Sequence, residues 1–266
     1  MFSALKVFGK TTLLCMLPAF YGSTASAGDA DLAKALANPL ASLVSVPTQL
    51  DYNSGYGSLN GSQTVFSVLP VIPFDISDNW NLITRSVIPF VSQENISGAS
   101  GKQTGLGDST ITMWFSPKAT TAGGWTWGIG PVLYVPTSSD PLLGAGEWGA
   151  GPTAIALKQD GPWTFGAFGN HIWSFDSDAV NSSFVQPFVS YNTKNLWTYS
   201  VNSESAYDWN SEEWTVPVNF MVSKLVTVGD QPISLKAGAR YYVDSPASGP
   251  DGWGARLSAT FLFPKD

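Results

Sequence analysis

The chain has 266 residues, with 20 acidic and 13 basic side chains, one histidine and one cysteine. That balance excludes a basic surface able to neutralise nucleic-acid phosphates, and a lone histidine and lone cysteine exclude a multi-histidine or multi-cysteine metal site. Hydrophobic content of 44%, only 12% charged residues and 11 tryptophans sit awkwardly in a soluble globule but suit a barrel, whose apolar residues are dispersed at alternate strand positions.

At the front, Lys6 and Lys10 precede the apolar run Thr11 to Phe20 and then Ala25-Ser26-Ala27. A basic region, a short apolar region and an A-x-A site make a secretory signal peptide over residues 1–27, cleaved near Ala27. The apolar run falls well short of the roughly 18 residues a spanning helix needs. Cys15 lies within it, preceded by Leu13 and Leu14 rather than by the small residue that lipoprotein acylation requires. The mature chain, from Gly28, therefore carries no thiol, as suits an oxidising compartment. Without Lys6 and Lys10 it has 11 basic and 20 acidic residues, a charge of −9.

Residues 28–42 are the only helix-like stretch, with Leu32, Leu36, Leu40 and Leu43 at helical spacing and Asp29 and Asp31 at the N-terminal end. Asn38-Pro39 should end it. This segment is expected as a short periplasmic helix capping the barrel mouth, with insertion into the lumen as a plug the alternative.

Strand-like runs then recur at 43–52, 63–74, 80–91, 108–117, 125–136, 148–158, 163–174, 184–192, 196–208, 213–224, 232–243 and 253–263, with turn chemistry between them. They predict an all-β fold: a transmembrane antiparallel up-and-down barrel of about twelve strands over residues 43–266, an even number as bacterial barrels have. Connections alternate between mostly short ones, such as 75–79 and 193–195, and longer ones rich in Gly, Ser, Asn and Asp, such as 92–107 and 137–147. Short periplasmic turns and long outer loops are the barrel pattern. The short linker before Glu213 departs from it.

The last strand splits by parity most clearly. Trp253, Ala255, Leu257, Ala259, Phe261 and Phe263 share one face; Gly254, Arg256, Ser258, Thr260 and Leu262 share the other. Its length matches the roughly 9–11 residues of a tilted membrane strand. The odd face is expected toward lipid and Arg256 toward the lumen. A terminal strand ending in Phe263 resembles the signal by which outer-membrane barrels are recognised by their assembly machinery, although Pro264, Lys265 and Asp266 follow it here.

Trp80, Trp114, Trp125, Trp127, Trp163 and Trp197 fall near expected periplasmic strand ends, and Trp148, Trp173, Trp209, Trp214 and Trp253 near outer ends. Indoles prefer the headgroup level, so two girdles are expected. Charges obey the same parity: Arg85, Glu204, Lys236, Arg240 and Arg256 all fall opposite the apolar face, where a basic group at the lipid midplane would cost roughly 2–4 kcal/mol. Lys224 has lipid parity but lies at a strand end, where it can snorkel.

The runs NPLASLVSVP (Asn38–Pro47), PVIPFDISDNWNLITRSVIPF (Pro70–Phe90), GLGD (Gly105–Asp108), WGIGP (Trp127–Pro131) and GAGEWGAGPTAIAL (Gly144–Leu157) resemble the outer-membrane family named for the MetA pathway of phenol degradation. GPWTFGAFGNHIWSF (Gly161–Phe175), QPFVSYN (Gln186–Asn192), WTVPV (Trp214–Val218) and FLFP (Phe261–Pro264) continue the resemblance. It implies an outer-membrane barrel of transporter-like character and supplies no catalytic or ligand residues.

Other constellations are read as structural. Gly144-Ala145-Gly146-Glu147-Trp148-Gly149 matches GxGxxG, but WGAGPTAIAL follows where a dinucleotide fold needs a helix. An outer hairpin loop is expected instead. His171 could join Ser174 and Asp176 in a hydrolase triad; its parity with Phe165, Ala167 and Trp173 favours an interfacial histidine on the lipid side. Asn60-Gly61-Ser62, Asn95-Ile96-Ser97 and Asn181-Ser182-Ser183 are chance triplets in outer loops. No catalytic residue, metal or cofactor is expected.

The candidate site is the lumenal set Arg85, Glu204, Lys236, Arg240 and Arg256, with Gln49, Asp51, Gln186, Asn202 and Asn219 as polar neighbours. Two readings follow: charges paired across a filled interior, or a wall that sets a pore's preference for solute charge. Expected partners are outer-membrane lipid and small solutes passing without energy coupling. A closed structural or surface-interaction barrel with partner-binding outer loops is the alternative.

Overall fold

In a computed structural model, residues 27–96 and 101–264 are described. The signal peptide expected at the front lies outside the described residues, apart from Ala27, which begins the helix α1 (Ala27–Leu36). Fifteen strand segments follow: β1 (Val44–Tyr56), β2 (Gly61–Val68), β3 (Val71–Asp75), β4 (Trp80–Glu94), β5 (Lys102–Leu106), β6 (Ser109–Pro117), β7 (Trp125–Val135) and β8 (Gly149–Asp160). The remainder are β9 (Trp163–Ser174), β10 (Asn181–Asn192), β11 (Trp197–Ser203), β12 (Ser205–Asp208), β13 (Glu213–Val228), β14 (Gln231–Asp244) and β15 (Gly252–Phe263).

These segments build twelve barrel strands, because β2 with β3, β5 with β6 and β11 with β12 are each one strand interrupted locally. The breaks fall at Leu69-Pro70, Gly107-Asp108 and Glu204. Every pairing is antiparallel between sequence neighbours, β15 closes on β1, and β9 to β10 completes the ring. A closed ring leaves no open edge in lipid, where an unpaired backbone group has no water to bond. Among the described residues no helix is long and apolar enough to cross a membrane; strands do the crossing.

The faces are inverted relative to a soluble protein. Leu50, Phe66, Ile88, Phe90, Phe220, Leu235 and Leu257 are exposed on the outside, while Asp51, Asn53, Thr112, Asn219, Arg240 and Arg256 are buried within. In water so much exposed apolar surface would drive association; in a bilayer it is the solvated face. Ten of the eleven tryptophans fit the expected girdles. Trp114 does not: it is fully buried in the lumen and donates its indole N–H to Thr153 Oγ1 at 3.1 Å. Its parity with the buried Thr112 and Ser116 was the readable signal.

The N-terminal segment packs against the inner wall of the barrel. Ala33 packs on the inward-facing Leu225 and Leu262, and Leu40, just beyond α1, is buried among Ile83, Trp114, Leu157 and Phe168. Asn38 ends the helix by accepting the N–H of Leu40 at 2.9 Å. Gln159 donates to the Lys34 carbonyl at 2.9 Å and Asn81 to Ser42 Oγ at 3.2 Å, fastening the segment to the inner wall. A narrow barrel leaves inward apolar side chains that only an inserted segment can cover, and leucines at helical spacing supply that cover.

Candidate functional site

The lumenal charges form a ladder that follows the strand register. Asn202 on β11 stands opposite Asn219 on β13, Asn219 opposite Arg240 on β14, and Asp51 on β1 opposite Arg256 on β15. Arg240 and Arg256 have glycines as register partners, Gly254 and Gly238 respectively. A Cβ on Gly254 would stand 2.6 Å from the Tyr52 carbonyl oxygen and 3.0 Å from Asn53 Oδ1, so only glycine leaves the Arg240 environment intact.

Arg256, 4% exposed, is held on two sides. Its Nε and Nη2 donate to the Asp51 carboxylate at 2.6 and 3.0 Å, and its Nη1 and Nη2 to the Glu204 carboxylate at 2.6 and 2.8 Å. Arg240 Nη2 donates to the same Glu204 at 2.6 Å, and its Nε donates to Asn219 Oδ1 at 2.7 Å. Asn219 in turn donates to Asn202 Oδ1 at 2.7 Å, and Gln49 to Asp51 Oδ2 at 2.8 Å. Glu204 reaches both arginines from the break between β11 and β12, beside a register shift at Val216/Pro217 on β13. Interruptions of this kind re-aim a side chain out of the regular pleat.

Of the five expected site residues, Glu204, Arg240 and Arg256 are thus brought into one network. Arg85 and Lys236 face the same interior, yet among the described residues neither makes an ion pair, and Glu204 acts on them only at longer range. Arg85 instead lies over the Phe168 ring, its Cζ 5.3 Å from the centroid. Sequence reasoning missed Asn53 and Tyr242, which complete the girdle through a 2.9 Å hydrogen bond from the Tyr242 hydroxyl to Asn53 Oδ1. Both share lumenal parity with a residue already singled out, Asp51 and Arg240.

The network divides the lumen. An outer chamber of about 440 Å³ and an inner one of about 230 Å³, floored by Leu36 and Pro39, share Gln49, Arg85, Gln186, Glu204 and Arg256 as lining. The outer chamber also has an apolar part, Phe168 and Phe184, with Phe168 packed 5.7 Å from Trp114 and 5.4 Å from Phe184 between centroids. The outer chamber therefore offers both polar and aromatic surface, whereas the inner one has no aromatic lining.

Two other constellations have structural roles. The glycine-rich run is a loop over Gly144–Trp148, and Gly149 opens β8 where a dinucleotide fold would need a helix. The Gly146 and Ser138 N–H groups each donate to the Asp108 carboxylate at 3.0 Å, and the Tyr134 hydroxyl donates at 2.9 Å. These donors tie the loop to the carboxylate, so Asp108→Asn should weaken protection of residues 137–147 about tenfold at neutral pH in hydrogen-exchange mass spectrometry, one charge-assisted bond's worth.

His171 stands on the outer face, as parity indicated, with its ring 4.0 Å from Trp173. Its Nδ1 is 2.7 Å from Ser183 Oγ, to which Trp209 also donates at 2.9 Å. Ser174 bonds within its own hairpin to Val180, so no Ser174–His171–Asp176 triad is assembled. Lys224 Nζ lies 5.1 Å from the Trp197 ring centroid, the snorkelled position expected of it. The triplet Asn95-Ile96-Ser97 ends outside the described residues at Ser97.

Residues 45–203 match the family model described as "Putative MetA-pathway of phenol degradation". The chain belongs to this family. Among solved structures, its MetA-family barrel is similar to an outer membrane channel from Pseudomonas putida F1, at 17% identity and a TM-score of 0.63, over 84% of this chain and 96% of that one. The KdgM porin aligns at 8% identity and a TM-score of 0.49, over 83% and 99%. Outer membrane phospholipase A from Escherichia coli aligns at 10% and 0.49, over 83% and 90%. The first likeness establishes the outer-membrane barrel fold; the other two are too distant to bear on anything more. No curated protein matches the MetA-family chain.

Proposed function

We propose that this barrel passes small solutes across the outer membrane by diffusion through its lumen, with the charged girdle as the selective constriction and residues 28–42 as a partial plug. The observation that carries this reading is the pair of chambers meeting at one set of polar side chains, with aromatic surface in the outer one. A constriction lined by fixed charge selects by sign, and aromatic surface favours solutes with an apolar body. The four cations Arg85, Lys236, Arg240 and Arg256 outnumber the two carboxylates Asp51 and Glu204, so anions should pass in preference.

The sealed reading draws support from the leucines and aromatics that fill the periplasmic half of the lumen. Liposome swelling with sugars, amino acids and aromatic acids separates the two: a diffusion channel swells the vesicles, fastest for aromatic acids, and a sealed barrel gives none. In planar bilayers wild type should favour chloride over potassium. Lys236→Glu and Arg240→Glu should each lower that preference, while an unchanged reversal potential would remove the girdle from any selective role.

A further inference from the structure

The two carboxylates of the girdle form their ion pairs with Arg240 and Arg256, which leaves Arg85 and Lys236 outside any ion pair among the described residues, with Glu204 acting on them only at longer range. Both line the inner chamber together with the amide side chains of Gln186 and Asn202. An arginine fork and a lysine ammonium facing one small cavity are the donors that a carboxylate accepts from most strongly. We propose that Arg85 and Lys236 form a binding site for the carboxylate of an amphipathic monoacid, whose hydrocarbon body extends past Arg85 to Phe168 and Phe184 in the outer chamber.

Three features narrow the ligand class. Arg85 lies over Phe168, which packs on Trp114 and Phe184, so the cation that would hold the head group touches the surface that would hold the tail. The inner chamber of about 230 Å³, which has no aromatic lining, takes the head group, and the outer one of about 440 Å³, lined by Phe168 and Phe184, takes the body. Glu204, lining the same chamber, disfavours a second negative charge on the ligand and so favours a monocarboxylate over a phosphate dianion. Arg85 lines both chambers whereas Lys236 lines only the inner one, so an acid entering from outside meets Arg85 first and is drawn inward by Lys236.

This inference rests on the diffusion reading for access to the lumen, yet binding is measurable without transport. Equilibrium dialysis of the detergent-solubilised mature barrel against 3-phenylpropionate, 3-phenylpropanol and phenyl phosphate reads it directly. The acid should bind at least about tenfold more tightly than the alcohol, the contribution of a charge-assisted hydrogen bond. Arg85→Gln and Lys236→Gln should each weaken the acid about tenfold by the same arithmetic and leave the alcohol unchanged. The double variant should bind the two alike, with heat-modifiable gel migration confirming its fold. Equal binding of acid and alcohol by wild type, or an acid preference that survives in the double variant, would overturn the site. Tighter binding of phenyl phosphate would overturn its assignment to carboxylates. A barrel that binds the acid selectively but swells no liposome keeps the site and refutes diffusion. One that swells them without any binding preference does the reverse.

Discussion

Removal of residues 28–42 from the mature chain should raise single-channel conductance several-fold and admit solutes that wild type excludes in liposome swelling. Leu36 and Pro39 floor the inner chamber, and Leu40 is buried among Ile83, Trp114, Leu157 and Phe168, so the deletion joins that chamber to the periplasmic mouth. It also uncovers inward leucines whose burial contributes about 1.5–3 kcal/mol each, and the truncated barrel should melt at a lower temperature in gel-shift assays. Leu40→Lys is a milder version: an ammonium among those apolar partners, beside the Phe168 ring that Arg85 already covers, meets a like charge, which should expel the segment without shortening the chain. Unchanged conductance in both variants would mean that ions never pass this segment.

Arg256→Met should cost about 3–5 kcal/mol in urea unfolding from detergent, the range for breaking a buried ion pair from one side. The guanidinium bridges Asp51 and Glu204 through four contacts, and without it Asp51 loses its ion pair while Glu204 keeps Arg240. Arg256→Lys should recover only part of the loss, since a single ammonium cannot serve both carboxylates with the arginine fork's geometry. Glu204→Gln should cost less, because Arg256 keeps Asp51, and it should strengthen anion preference by removing half of the girdle's negative charge. If Arg256→Met unfolds at the wild-type urea concentration, the girdle contributes no structure.

The barrel was legible because lipid outside and polar protein inside impose a period of two on every strand. In β15 that period alone places Leu257 outside and Arg256 inside, as observed. Strand number followed from turn chemistry, and the family resemblance from motifs along the chain. Parity also gathered the five lumenal charges, but it carries no distance. It could not separate Arg240 and Arg256, which are paired, from Arg85 and Lys236, which are not, because pairing depends on the shape of the closed ring. The break that aims Glu204 inward leaves no mark a pattern can read. Trp114 was misplaced by counting tryptophans at strand ends without asking which face each occupies. Cap and plug could not be told apart in the sequence, because an amphipathic segment reads alike whether its apolar face meets a barrel mouth or a barrel interior.

The two-solvent alternation is tested most directly by single cysteines placed at residues 255–262 in a Cys15→Ser background, spin-labelled and reconstituted in lipid. Collision with dissolved oxygen, which concentrates in the bilayer, should be high at positions 255, 257, 259 and 261 and low at 256, 258, 260 and 262, a period of two along β15. A flat profile, or a labelled protein that stays a compact monomer in buffer without detergent or lipid, would contradict the transmembrane barrel and everything built on its interior.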